Sequence, residues 1–131
     1  MNYVLMLQVD EDDKFITEES LREAGISTQV KFLNKVEDLE SCIRQEGMPS
    51  LILLNDRGAV HRGSKLLTRI KAHQDYAHIP VIMLGEVTTP DYIKECYIAG
   101  ASSYIIKPST VRETLKKIEL FFHYWSEVAE V

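Results

Sequence analysis

Hydrophobic positions along this 131-residue chain alternate between two patterns. Short apolar runs at 3–9, 51–54, 81–84 and 103–106, with a partly alternating run through Val30 and Phe32 at 28–33, predict five strands. The uninterrupted runs fit strands buried on both faces of a parallel sheet. Apolar residues at helical spacing predict helices over about 14–24, 37–45, 64–73, 90–99 and 110–127, as in Leu39, Cys42 and Ile43 or Leu66, Leu67 and Ile70. Gly25, Gly47 with Pro49, and Gly100 close three of these helices, and Pro80 opens the fourth strand. Strands and helices alternate with connections long enough for crossovers, so the predicted architecture is α/β, a doubly wound five-stranded parallel sheet flanked by five helices. No repeat and no linker interrupts the pattern, and residues 1–131 are expected to form one domain.

In such sheets ligands and chemistry sit just beyond the carboxyl ends of the strands. The central run Leu51-Ile52-Leu53-Leu54 passes directly into Asn55-Asp56, which places Asn55 at that rim. The first strand ends on Asp10-Glu11-Asp12-Asp13, the fourth at Gly85 and the fifth on Lys107-Pro108. Acids favour a helix start, a role expected of Asp12 or Asp13. Asp10 and Glu11 are left at the strand end, where they repel each other unless a cation stands between them. Lys107 is expected as their counter-ion. Successive strand residues point to opposite faces, so Asp56 should look away from Lys107.

Composition narrows the function. A net charge of -5 with basic residues scattered among acidic ones leaves no footprint for nucleic acid or an anionic membrane, and a protein partner or small ligand is expected. Cys42 and Cys96 form no CxxC pair, and no apolar run approaches membrane-spanning length, which together suggest reduced thiols in a cytoplasm. His61, His73, His78 and His123 lack metal-ligand spacing and are expected at the surface. Arg57, Arg62 and Lys65 read first as a solvated face and only secondarily as an anion site beside Asn55.

Taken together, Val9-Asp10-Glu11-Asp12, Leu51 to Leu54, Gly63, Ile79-Pro80-Val81-Ile82-Met83-Leu84, Ala99-Gly100-Ala101 and Tyr104-Ile105-Ile106-Lys107-Pro108 resemble the receiver domain of two-component response regulators, the CheY-like fold. The Tyr124-Trp125 ending and the connection from Lys71-Ala72-His73 to Pro80 resemble stand-alone receivers that accompany bacterial phytochrome-type sensor kinases. The resemblance implies the flavodoxin-like strand order 2-1-3-4-5. It also implies an aspartate that takes a phosphoryl group from a histidine kinase, Mg²⁺ on paired acids, and a strand-four hydroxyl and strand-five lysine that hold the phosphoryl oxygens. Here the acidic pair is matched by Asp10 and Glu11 and the lysine by Lys107, but the acceptor position is Asn55, the hydroxyl position is Gly85, and Glu86 follows it.

Acyl phosphate formation needs an anionic carboxylate oxygen, and an amide offers none. Gly85 has no hydroxyl, and Glu86 brings a like charge toward an incoming dianion. No catalytic role is therefore expected, no cofactor is required, and any Mg²⁺ on Asp10 and Glu11 should be weak or absent. The expected function is a degenerate receiver acting as a phosphorylation-independent protein-interaction module toward a sensor kinase or downstream effector. The alternatives are a phospho-acceptor using Asp56 and a small-anion or metabolite sensor in the vacated pocket beside Lys107.

Two further expectations concern the end of the chain. In the last helix Val111, Leu115, Ile118, Phe122 and Trp125 share one stripe that docks on the sheet, while Phe121, Tyr124 and Val128 fall on an adjacent stripe and are expected to carry a partner contact or homodimer. Tyr104 matches the family's aromatic switch position and is expected to turn in toward Gly85, because an unfilled void there would cost packing energy.

Overall fold

A computed structural model describes residues 3–56 and 63–129. Its five parallel strands are β1 (Val4–Leu7), β2 (Val30–Leu33), β3 (Leu51–Asn55), β4 (Val81–Gly85) and β5 (Ser103–Ile106), in the order β2-β1-β3-β4-β5. The helices are α1 (Glu11–Glu23), α2 (Leu39–Glu46), α3 (Gly63–Ala72), α4 (Pro90–Ile98) and α5 (Val111–His123). A 3₁₀ turn, Val36–Asp38, leads into α2, and a wide π-type turn, Tyr124–Val128, follows α5. The expected doubly wound α/β sheet is the observed fold, including its strand order.

Side-chain parity divides the interior into two cores. Leu5, Leu7, Ile52, Leu54, Val81 and Met83 face α2, α3 and α4, whereas Val4, Met6, Leu51, Leu53 and Ile82 face α1 and α5. All four apolar residues of β3 are nearly sealed from solvent, because helices cover both faces of this central strand. Burying a single Leu or Ile in this way contributes about 1.5–3 kcal/mol. Phe122 anchors α5 on the second core, with the ring of Phe121 edge-on to it at 5.1 Å.

The outer edge of β5 is closed by side chains. Tyr104 N–H donates to the Tyr97 hydroxyl at 3.1 Å, and Lys117 Nζ donates to the Ile106 carbonyl at 2.8 Å. Both contacts occupy backbone groups that would otherwise offer a template for pairing with another strand.

Three helices start on side-chain caps, which fix where loops give way to helix. Asp10, Thr89 and Thr110 accept from the backbone N–H of Asp13, Tyr92 and Glu113. The helix-starting role expected of Asp12 or Asp13 thus belongs to Asp10. Strand β1 is shorter than expected because Gln8 takes φ +60°, turning the chain before Val9 and letting α1 begin at Glu11.

Candidate functional site

The strand ends form a rim with two unlike sides. On one side Asn55, only 3% exposed, follows the parity of Leu53 and turns toward the α1 and α5 face. Asn55 Nδ2 donates to the Gln8 carbonyl at 3.1 Å and to Asp13 Oδ2 at 3.0 Å, while Gln8 Nε2 donates back to the Asn55 carbonyl at 3.2 Å. Both partners of Nδ2 are acceptors, so the amide orientation is dictated: a flipped amide would set its oxygen against the Asp13 carboxylate. Among the described residues Asn55 Oδ1 is consequently left buried without a hydrogen-bond partner. Lys107 Nζ lies 3.5 Å from Asp13 Oδ1. Burial pushes the Asp13 carboxyl above its ordinary range and neighbouring Asp10 adds to this, while Lys107 opposes it.

On the other side Asp56, also buried, follows the parity of Leu54 toward α3 and α4. Its Oδ1 accepts from Gly63 N–H at 3.2 Å and its Oδ2 from the Tyr92 hydroxyl at 2.6 Å. The Tyr92 hydroxyl in turn accepts from Ser64 N–H at 3.4 Å. Two of the backbone donors at the start of α3 are spent here, where the positive end of the helix favours a carboxylate. Gly63 permits this approach, since a Cβ there would come within 2.6 Å of Met83 Cε and 3.1 Å of Asp56 Cγ.

Tyr104 turns inward over Gly85, as expected from the absence of a side chain at that position. A Cβ on Gly85 would collide with the Tyr104 hydroxyl and would stand 3.1 Å from both Tyr104 Cζ and Asp56 Cβ. The rings of Tyr92 and Tyr104 meet edge to face at 6.3 Å. Burial first, and then the Asp56 carboxylate, raises the Tyr104 phenol to about 12; burial and the Asp56 hydrogen bond raise Tyr92 as well.

The two sides meet in an open cavity of about 560 Å³, whose charged lining is Asp10, Asp13, Asp56, Glu86 and Lys107. Four carboxylates face one ammonium, a field that disfavours the small anion considered from sequence. Several sequence expectations shift at this point. Glu11 is exposed on the first turn of α1, and Asp13 takes the place beside Asn55 and Lys107 that was expected of Glu11. The cause is the early turn at Gln8, which makes Asp10 the cap and brings Asp13, three residues on, back over the strand ends. Phe121 is buried, because two adjacent aromatic residues of α5 enter the core together, so the exposed apolar stripe is Leu120, Tyr124 and Val128. His73, His78 and His123 are exposed. Arg57, His61 and Arg62 lie outside the described residues.

Mg²⁺ binds through several hard, anionic oxygens in near-octahedral geometry. Here both Asp13 oxygens are engaged by Asn55 and Lys107, Asp10 Oδ1 caps α1, and the Asn55 amide presents an N–H to Asp13 where a carboxylate would present an oxygen to a metal. Among the described residues no three His, Cys, Asp or Glu side chains are grouped to hold a metal ion. The donor set fits the ion poorly.

The fold and this rim define a receiver domain. The chain belongs to the response regulator receiver domain family, whose description matches residues 6–119. It is 30% identical over 78 residues to the probable methanogenesis regulatory protein FilR2 of Methanothrix harundinacea, covering 60% of this chain and 50% of that protein. Over 90 residues it is 33% identical to the two-component response regulator-like APRR3 of Arabidopsis thaliana, covering 69% of this chain and 16% of the relative. The chain therefore spans half or less of the length of these two curated relatives. Among solved structures, response regulator RPA3017 in red light signalling of R. palustris superposes with a TM-score of 0.84 at 22% identity, covering 99% of this chain and 97% of that one. The Mn²⁺-bound form of response regulator Rcp1 gives 0.84 at 21% identity, covering 100% and 99%. The phosphorylated cyanobacterial phytochrome response regulator RcpA gives 0.82 at 23%, covering 99% and 98%. Receiver domains of this family are signalling modules of two-component systems, and none of the described helices is long and apolar enough to cross a membrane.

Proposed function

We propose that residues 1–131 form one receiver domain that has lost phosphoryl transfer and acts in a two-component or phosphorelay setting as a phosphorylation-independent interaction module. The observation that carries the reading is Asn55: an amide at the strand-three acceptor position, buried and hydrogen-bonded to Asp13 and Gln8. An amide lacks the negative charge and free lone pair that attack on phosphorus requires. Beside it, Asp13 draws its positive partner from Lys107 and its donor from Asn55, so the acidic site is satisfied without Mg²⁺. Asp56 is a poor substitute nucleophile, because both its oxygens accept hydrogen bonds, from Gly63 N–H and the Tyr92 hydroxyl. The likeness to phytochrome-associated regulators supports a sensor kinase of that class, or its effector, as the cytoplasmic protein partner.

Leu120, Tyr124 and Val128, each about half exposed or more, are the residues on the last helix and its terminal turn through which we assign partner contact or a homodimer. The test of the functional reading is incubation with acetyl phosphate or a cognate kinase in Mg²⁺, followed by intact mass. No added phosphoryl mass is expected, together with partner binding that is the same with and without phosphodonor.

A further inference from the structure

Asp56 is a buried acid that the reading above does not use, and its surroundings are specific. It joins the end of β3 to the first turn of α3 through Gly63 and to α4 through Tyr92, and its side chain and the Tyr104 hydroxyl of β5 crowd the same space over Gly85. Asp56, Gly85 and Tyr104 share one face by strand parity, and Gly85 supplies the space that the Tyr104 hydroxyl occupies next to the Asp56 side chain. An apolar residue at 56 would leave Gly63 N–H and the Tyr92 hydroxyl without this acceptor, so the carboxylate is matched to its donors rather than tolerated by them.

Resting on the reading that Asn55 takes no phosphoryl group, we propose that Asp56 is a positioning residue: its carboxylate, fixed by Gly63, holds Tyr92 and Tyr104 inward and thereby keeps α4 and β5 in one arrangement. The arrangement needs no phosphoryl group, because the group that maintains it is part of the chain. Tyr97, on the same helix as Tyr92, accepts from Tyr104 N–H at 3.1 Å, so an inward Tyr104 and a docked α4 support each other. The surface formed by α4 and β5 then offers a phosphodonor no preference to act on, since a ligand shifts an equilibrium only by its preference between states.

The test is NMR of full-length protein carrying ¹³C-labelled tyrosine, with the Tyr104 signal assigned by its loss in Tyr104→Phe. In the unaltered chain one Tyr104 environment is expected, in contact with Gly85 and unchanged by Mg²⁺ with acetyl phosphate. Asp56→Leu should release the ring, raising the outward population about tenfold, because the carboxylate beside the Tyr104 hydroxyl and the Tyr92 hydrogen bond to it are lost together. Asp56→Asn, which keeps one of the two acceptor positions, should fall between, and Tyr92→Phe should loosen α4 with a smaller effect on Tyr104. Asp56→Asn and Tyr92→Phe carry the test if Asp56→Leu does not fold. A Tyr104 signal that stays inward and single in folded Asp56→Asn and Tyr92→Phe, or one already outward in the unaltered chain, overturns the role given to Asp56. A phosphoryl adduct seen by mass in the same samples would instead overturn the reading of Asn55, so the two failures are distinguishable.

Discussion

Asn55 and Asp56 are joined by one peptide bond, and their environments have little in common. Asn55 faces α1 and α5, gives its N–H groups to two acceptors and has an oxygen with no partner among the described residues. Asp56 faces α3 and α4 and receives donors at both oxygens. On the first side an amide and a lysine engage both oxygens of Asp13, and on the second a carboxylate gathers donors from α3 and α4. Polar residues at one strand end are thus not interchangeable, because strand parity assigns each to a different set of helices.

The largest expected effect comes from breaking the Asp56 side. Asp56→Leu should lower stability by about 1–3 kcal/mol for each buried donor left without an acceptor, measured by urea denaturation. An unchanged midpoint would mean that water or a rearranged α3 start replaces the carboxylate. Gly85→Thr should cost about 1–3 kcal/mol by overpacking unless Tyr104 swings out. A structure of that variant distinguishes the two responses, and an inward ring at undiminished stability would contradict the packing described.

On the other side, Asn55→Asp places a second carboxylate against Asp13. Like charge and burial then both favour the protonated forms, so their folded-state values lie above the unfolded ones. A raised acid binds more protons folded than unfolded, so the variant should lose stability as pH rises through the raised value, on the order of 1 kcal/mol for each tenfold gain in proton affinity. Millimolar Mg²⁺ should recover part of that loss while leaving the unaltered chain's melting temperature in place. A saturable Mg²⁺ response of the unaltered chain would count against the reading that Asn55 and Lys107 satisfy Asp13 without the ion.

The tyrosines give a smaller effect at alkaline pH. The Tyr104 phenol, raised from 10.0 to about 12, and the similarly raised Tyr92 contribute stability that is present below pH 10 and lost as pH rises through their folded values. Tyr104→Phe and Tyr92→Phe should each flatten the decline in stability between pH 10 and 12, read from denaturation midpoints across that range. The smallest change in stability, within about 0.5 kcal/mol, is expected for Tyr124→Glu at the exposed end. Its measurable consequence should be a lower apparent mass in sedimentation or loss of partner capture; Phe121 cannot serve in this test, since it is buried.

Hydrophobic runs and punctuation made the sheet, its connections and the rim legible, because parallel strands buried on both faces leave a continuous apolar signal. Tyr104 over Gly85 was legible for a similar reason: a missing side chain beside a large one predicts how the space is filled. The acid assignments were not, since Gln8 turns the chain at φ +60° with no glycine or proline to mark it, moving Asp10 to the cap and Asp13 to the site. The role of Asp56 was half legible: parity gave its direction, but its donors come from Gly63 and Tyr92, distant in sequence. Phe121 was misplaced because helical periodicity locates the centre of a buried stripe better than its width.

The account rests most directly on the chemistry open to Asn55. Intact-mass spectrometry after incubation with acetyl phosphate and Mg²⁺, with peptide mapping of any adduct, measures that chemistry. The prediction is an unmodified chain under conditions that phosphorylate a receiver bearing the acceptor aspartate. A stable phosphoryl adduct on the segment that contains Asn55 and Asp56 would contradict it.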